Sequence, residues 1–209
     1  MFYEPKNPHG LKHNPFNGLV VPRPIGWISS MDKEGRVNLA PYSFFNAVSY
    51  FPPQVMFSAT SPHVTSDGPK DSIRNIRETG EFTHSMATWD LREAVSTTSV
   101  AAPAGVDEYE IAGLTKEPSK LVAPPRVKES PVHFECKLVK IVDLPASQEG
   151  GSNTVIFGEV IGIHIADHII VDGLVDIDLL DPISRLGYRD YGRVREVFSL
   201  DRPNWPMDK

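Results

Sequence analysis

The stretch from Pro22 to Ala59 constrains the chain more than any other. It reads PRPIGWISSMDKEGRVNLAPYSFFNAVSYFPPQVMFSA. Leu19 to Ser30, with Val20, Val21, Ile25, Trp27 and Ile28, reads as a strand bent at Pro22 and Pro24. Asp32 to Gly35 reads as a hairpin turn, with Gly35 free to take a positive φ. Val37, Leu39 and Tyr42 resume an alternating pattern interrupted by Pro41, and Val55 to Thr60 forms a strand after the rigid Pro52–Pro53 turn. Strands, a tight turn, a cluster of hydroxyls and a Phe-Phe-Asn in one block can hold a flat, hydrogen-bonding ring.

The rest of the chain fits around that block as short strands and a few helices. Asp71 to Thr79 is a predicted helix, with Asp71 as N-cap, Ile73 and Ile76 on one face, and Gly80 closing it. Glu81 to Ala87 reads as a strand. Leu91 to about Ser99 reads as a second helix, with capping-box spacing between Asp90 and Glu93. A turn of helix near Asp107 to Ala112 ends at Gly113, and the proline-bearing residues 115–131 are expected to cross the surface. In Val132 to Val142, Phe134, Cys136 and Leu138 face one way and Glu135 and Lys137 the other. In Asn153 to Ala166, Gly158, Gly162 and His164 share a face with Ile156 and Val160, and the paired glycines point to a close backbone approach or a barrel bend. Ile169 to Ile177 reads as a hairpin around Asp172-Gly173. Many short strands predict a mainly β fold, a closed or partly closed antiparallel barrel with a few helices. The 209 residues, 19 prolines among them, read as one domain, 1–209, with residues 1–17 as a lead-in.

Several function classes are disfavoured. A net charge of −6 argues against a general nucleic-acid binder. No run approaches the ~18 apolar residues of a membrane helix, and no basic start leads into an apolar stretch as in a secretory signal. The single cysteine, Cys136, excludes an internal disulfide framework and fits a reducing cytoplasm. Its strand neighbours mark it as an inert core thiol. No G-x-S-x-G elbow, G-x-G-x-x-G or Walker loop occurs. His63, His84, His133, His164 and His168 are scattered, and His164 and His168, four apart, lie across a strand end rather than on a helix face, so no metal site is expected.

What remains is a set of hydroxyls and amides: Ser29 and Ser30, Ser43 to Asn46, Ser58, and Lys70-Asp71-Ser72 at a helix start. A helix N-terminus with unpaired N–H groups suits a phosphate, although Asp71-Ser72 would also make an ordinary cap. Asn46 carries a donor and an acceptor for a pyrimidine-like ring edge, or serves as a turn residue.

These blocks, read together, resemble a known family. PRPIGWISS-x-D-x-x-G-x-x-NLAPYSFFNAVS, KDS-x-x-NI-x-x-TGEF, LREAV-x-x-TS, DEYEIAGL, SPVHFECKL, GEV and RLG-x-x-Y, in that order from about Leu19 to Pro203, are similar to the flavin reductase-like family. That family has an FMN-binding split barrel and includes flavoredoxin and the reductase components of two-component monooxygenases. The resemblance implies a Greek-key antiparallel split β-barrel. It also implies FMN as cofactor, with NADH or NADPH as reductant and hydride transfer to flavin N5. The alternative is a flavoredoxin-like carrier that holds FMN tightly and has no nicotinamide site. Carried over by position, Trp27, Ile28, Ser29 and Ser30 would line the flavin. Tyr42, Ser43, Phe44, Phe45 and Asn46 would lie along its ring system. Ser58, Ala59, Lys70 and Ser72 would hold the ribityl chain and phosphate. Tyr188 and Tyr191 would close the site, from a second subunit in a homodimer. A partner monooxygenase or another electron acceptor would receive the electrons. His164 could point into such a site or be a barrel histidine with a local partner. Ser85 and Ser96 stand where the family pattern often has asparagine, and Ser72 where threonine is commoner. An asparagine missing at Ser85 would remove one polar contact.

Overall fold

Alternating apolar residues build the strands of a single curled sheet. The computed structural model describes residues 1–60, 69–103, 105–146 and 151–205. Its main strands are β1 (Gly26–Met31), β2 (Val37–Tyr42), β3 (Phe45–Tyr50), β4 (Pro53–Thr60) and β5 (Glu81–Met86). Two short strands, β6 (Lys116–Glu117) and β7 (Arg126–Val127), precede the long β8 (Val132–Leu144) and β9 (Asn153–Ile165). The large sheet runs β2-β1-β5-β8-β9-β4-β3, every neighbouring pair antiparallel. Hairpins β10–β11 (Ile170–Val171, Leu174–Val175) and β12–β13 (Ile183–Arg185, Tyr191–Arg193) lie outside it. The helices are α1 (Phe16–Leu19), α2 (Asp71–Thr79), α3 (Arg92–Thr97), α4 (Glu108–Ile111) and α5 (Ile177–Leu180).

The two edge strands, β2 and β3, are separated by only Ser43 and Phe44. The sheet therefore curls until its ends meet, and the Tyr42 and Phe57 rings come within 4.8 Å of each other. This is the mainly β, antiparallel barrel that the strand pattern predicts, split as the resemblance implies. Pro41 is tolerated because β2 is an edge strand, where a missing N–H breaks no central ladder.

Two apolar layers hold the sheet. On the concave side Ile28, Phe57, Phe82, Cys136 and Ile156 pack with Ile73 and Ile76 of α2. On the other side of β1 and β2, Trp27 and Leu39 pack with Val95 of α3 and Tyr109 of α4. The parity of β1 explains the split: Trp27 and Ile28 are adjacent, so they face opposite layers. A Cβ on Gly158 would lie 2.3 Å from the Phe82 ring, which is the close approach expected of that glycine.

Several local readings change. Val20 to Ile25 forms no part of a strand; α1 ends at Leu19 and β1 begins at Gly26. Phe45–Tyr50 is a strand of its own, unrecognised because its polar and aromatic residues do not alternate cleanly. The N-cap of α2 is Lys70, and Asp71 sits inside the first turn, paired with Arg74 at 2.5 Å. The N-cap of α3 is Leu91, with no side-chain cap, so Asp90–Glu93 forms no capping box. Residues 115–131 do more than cross the surface. Pro124, Pro125, Arg126 and Val127 are buried against the convex side of β5 and β8. Glu135, on the face opposite Phe134 and Cys136 as read from the alternation, is fully buried there. Val160 pairs with Cys136 and Gly162 with Glu135, so a bulge at Ile161 puts Val160 and Gly162 on opposite faces.

Candidate functional site

The site begins where β2 passes into β3. Arg23 organises that corner. Its guanidinium is almost fully buried, and burial followed by the neighbouring Arg185 lowers its pKa. It donates to the carbonyls of Asn17 (2.5 Å), Val20 (2.7 Å) and Leu186 (2.9 Å), reaches Ser43 Oγ at 3.4 Å, and lies 5.7 Å from the Phe44 ring centroid. The Arg23 and Arg185 backbones exchange two hydrogen bonds, at 3.0 and 2.9 Å. One side chain thus ties residues 17–20, the Ser43–Phe44 corner and the C-terminal hairpin together.

Tyr188 and Tyr191 are carried to this corner by the same hairpin. Tyr188 adopts φ 55°, its carbonyl accepts from Arg185 at 2.6 Å, and Tyr191 lies under the Arg185 guanidinium at 4.6 Å. Both rings are substantially exposed. No local pattern in the sequence marks Arg23, because its partners lie at positions 17, 20 and 186.

Phe45 is locked in place. Its ring stacks on His84 at 4.7 Å and 11°, and His84 in turn lies 5.0 Å from Phe134. Gly26 makes room for this, since a Cβ there would stand 2.5 Å from the Phe45 ring. Burial pushes the His84 pKa down to about 4, against a weaker opposing effect of the Ile25 backbone, and neither ring nitrogen has a partner in good hydrogen-bond geometry. Asn46 is exposed, and its Oδ1 accepts from the Ala47 amide at 2.9 Å. Ser58 is half-buried on β4 and its amide donates to the Phe44 carbonyl at 2.8 Å, while Ala59 is buried in the core.

Lys70 closes the arrangement from the start of α2. Its amine is half-buried, 5.6 Å from the Tyr42 ring centroid, and has no carboxylate partner among the described residues. Burial lowers its pKa. An ammonium in this setting, at the positive end of a helix and with no carboxylate beside it among the described residues, suits an anion.

Other predicted residues are placed differently. Trp27, Ile28, Ser29 and Ser30 are all fully buried, so none of them presents a group to the cleft. Trp27 Nε1 donates to Thr98 Oγ1 at 2.9 Å, and Ser30 Oγ accepts from Asn75 at 3.2 Å. Ser72 is also buried, accepting from Asn38 Nδ2 at 2.8 Å. Ser30, Asn38, Ser72 and Asn75 thus form a polar seam between α2 and the sheet, a structural use of residues expected at the cofactor. Tyr42 is buried, its phenol pushed up to about 12 by burial, with Ser72 opposing. Ser85, on the convex side, holds the Val127 amide at 3.2 Å and takes no part in the cleft. His164 has its local partner, Glu135, at 2.5 Å. Cys136 is buried, and burial drives its thiol well above the ordinary range. Among the described residues no three metal-ligating side chains gather, and no helix is long and apolar enough to cross a membrane. His63 lies outside the described residues.

At the β2–β3 corner Ser43, Phe44 and Phe45 adjoin Ser58, Asn46 is exposed next along β3, and Lys70 stands beside Tyr42. Apolar rings, an exposed carboxamide and a cation with no carboxylate partner among the described residues suit a flat heteroaromatic ring bearing a phosphate, so these residues fit FMN. The chain is similar to several known proteins. An uncharacterized protein of Halalkalibacterium halodurans is 39% identical over 189 residues, covering 89% of this chain and 88% of that protein. The crystal structure of nitrilotriacetate monooxygenase component B from Bacillus cereus superposes with a TM-score of 0.87 at 30% identity, covering 96% of this chain and 98% of that one. Flavoredoxin of Desulfovibrio vulgaris (Miyazaki F) shares the fold, with a TM-score of 0.73 at 22% identity over 93% of this chain and 96% of its own. Residues 18–178 match the model of the flavin reductase like domain, and with the split barrel and its open corner already in view, the chain belongs to the flavin reductase-like family.

Proposed function

We propose that this protein binds FMN at the corner between β2 and β3 and reduces it with NADH or NADPH. The observation that carries the reading is Lys70, a half-buried ammonium without a carboxylate partner among the described residues, at the start of a nine-residue helix beside the Ser43–Asn46 corner. Lys70 and the first amides of α2 would hold the phosphate. Phe44 and Phe45 would give the ring an apolar wall that excludes water, and Asn46 would orient its polar edge. Tyr188 and Tyr191 would cover it. When bound, FMN supplies the hydride-accepting chemistry. No proton-transferring side chain is required of the protein, and Cys136 is too deeply buried to serve as a nucleophile.

A homodimer completes the proposal. Val48, Tyr50 and Phe51 leave the β3–β4 hairpin exposed and apolar, a surface a second copy of the chain would cover. The resemblance names a partner monooxygenase or another acceptor as the destination of the electrons.

The test is Lys70→Met. FMN affinity is expected to fall about tenfold or more, the loss of one charged contact, ~1.5–3 kcal/mol, while thermal unfolding of the cofactor-free chain stays put. Unchanged affinity in the folded variant would remove the phosphate assignment. The carrier reading rests on the fold shared with flavoredoxin. Anaerobic addition of NADH and then NADPH separates the two: bleaching by either supports the reductase, and bleaching by dithionite alone supports the carrier.

A further inference from the structure

A second cavity lies on the convex side of the sheet, away from the face that carries Phe45 and Phe134. Its volume is about 360 Å³, within the ~300–1,000 Å³ range of small-molecule pockets. Arg126, Lys128, His133 and His164 supply its basic lining and Glu117 its one carboxylate, while Pro131 and Ile165 form an apolar wall.

Arg126 is nine-tenths buried and incompletely matched. Nη2 donates to the Pro118 carbonyl at 2.9 Å, Nη1 lies 3.4 Å from His133 Nδ1, and Nε has no partner. The nearest carboxylate, on Glu117, stands 3.8 Å from Nη2. A buried guanidinium with so loose a counter-ion favours a further anion.

The histidines are engaged by neighbours and are not placed to ligate a metal. His133 Nε2 faces the Val127 carbonyl at 2.8 Å, which only a protonated nitrogen can satisfy, so Nδ1 is bare and receives Arg126. His164 directs Nε2 to Glu135, whose two oxygens also accept the Lys120 and Leu121 amides at 2.8 and 2.6 Å. Only one imidazole nitrogen, on His164, is left over, too few for a metal. Arg126 and Lys128 then carry the cavity's fixed positive charge against the loosely placed Glu117, while the Glu135 carboxylate behind His164 is taken up by that imidazole and by the Lys120 and Leu121 amides.

We propose that this cavity binds a small organic monocarboxylate, its carboxylate on Arg126 and Lys128 and its apolar body against Pro131 and Ile165. The experiment uses the full chain in the presence of FMN, with isovalerate as probe, its neutral amide isovaleramide, and inorganic phosphate. Isovalerate is expected to shift the imidazole NMR signals saturably while the flavin absorption stays constant. Isovaleramide and phosphate are expected to bind at least tenfold more weakly. Lys128 is exposed, so Lys128→Gln should fold normally, weaken isovalerate about tenfold and leave FMN affinity unchanged. Three results would overturn the proposal: no saturable shift with isovalerate, equal binding of amide and carboxylate, or phosphate binding as tight as isovalerate. A response of the flavin bands without an imidazole shift would likewise overturn it, by placing the anion in the other cleft.

Discussion

The two faces of β8 solve opposite problems. On the concave face, Phe134, Cys136 and Leu138 meet an apolar interior whose only demand is volume. On the convex face, His133 and Glu135 are equally hidden, under residues 115–131, and every polar atom there needs a partner. Both faces are buried, yet the first is held by shape and the second by hydrogen bonds. Burial alone therefore does not reveal how a strand is stabilised.

The largest effect is expected on the convex face. Glu135→Leu would leave the Lys120 and Leu121 amides and His164 without their acceptor, at a cost of about 3–5 kcal/mol, read from urea unfolding. A loss below about 1 kcal/mol would mean that residues 115–131 hold themselves without Glu135. Gly158→Val makes the matching test on the concave face, where the new side chain would run into Phe82. Overpacking there is expected to cost about 1–3 kcal/mol, and Phe82→Leu in the same chain should recover part of it.

Acid probes both faces at once. Burial holds His84 on the concave face and His133 on the convex face at about 4, so both are neutral when folded at pH 7. The unfolded chain takes up those protons near pH 6.5. Stability from these two residues is therefore fully present above pH 6.5 and falls as the pH drops toward 4. Urea midpoints measured across that window should slope downward, and His84→Phe should flatten the slope. A slope indifferent to His84→Phe would assign the whole acid response to the convex face. The smallest effect is expected at Cys136, where Ala removes one sulfur from a packed interior. The expected cost is about 1 kcal/mol with flavin turnover intact, and lost turnover in a folded, FMN-bearing variant would bring the thiol back into the chemistry.

The concave side was legible in the sequence. Phe134, Cys136 and Leu138 alternate, Ile73 and Ile76 share a helix face, and Gly80 stops that helix with φ 71°. Periodicity reports such positions directly, because apolar residues have one use. The convex side was not legible, because the same alternation sends Glu135 and His133 outward and cannot say that another segment covers them. Ser43 to Asn46 and Ser58 meet at the β2–β3 corner, with Lys70 beside Tyr42, and Tyr188 and Tyr191 ride on the hairpin that Arg23 ties to that corner. Ser29, Ser30 and Ser72 are buried instead. A serine looks identical in sequence whether its hydroxyl meets a ligand or Asn38 and Asn75. Arg23 shows the converse, a residue whose role comes from carbonyls at positions 17, 20 and 186 that no local pattern connects.

The contact between Gly26 and Phe45 reaches beyond this one molecule. Because a Cβ at position 26 would enter the Phe45 ring, the two positions are not free to vary separately. Alanine or a larger residue at position 26 would push the Phe45 ring off its stack on His84. The identity of a glycine buried in one strand thus constrains a side chain nineteen positions later, at the corner proposed to hold the flavin.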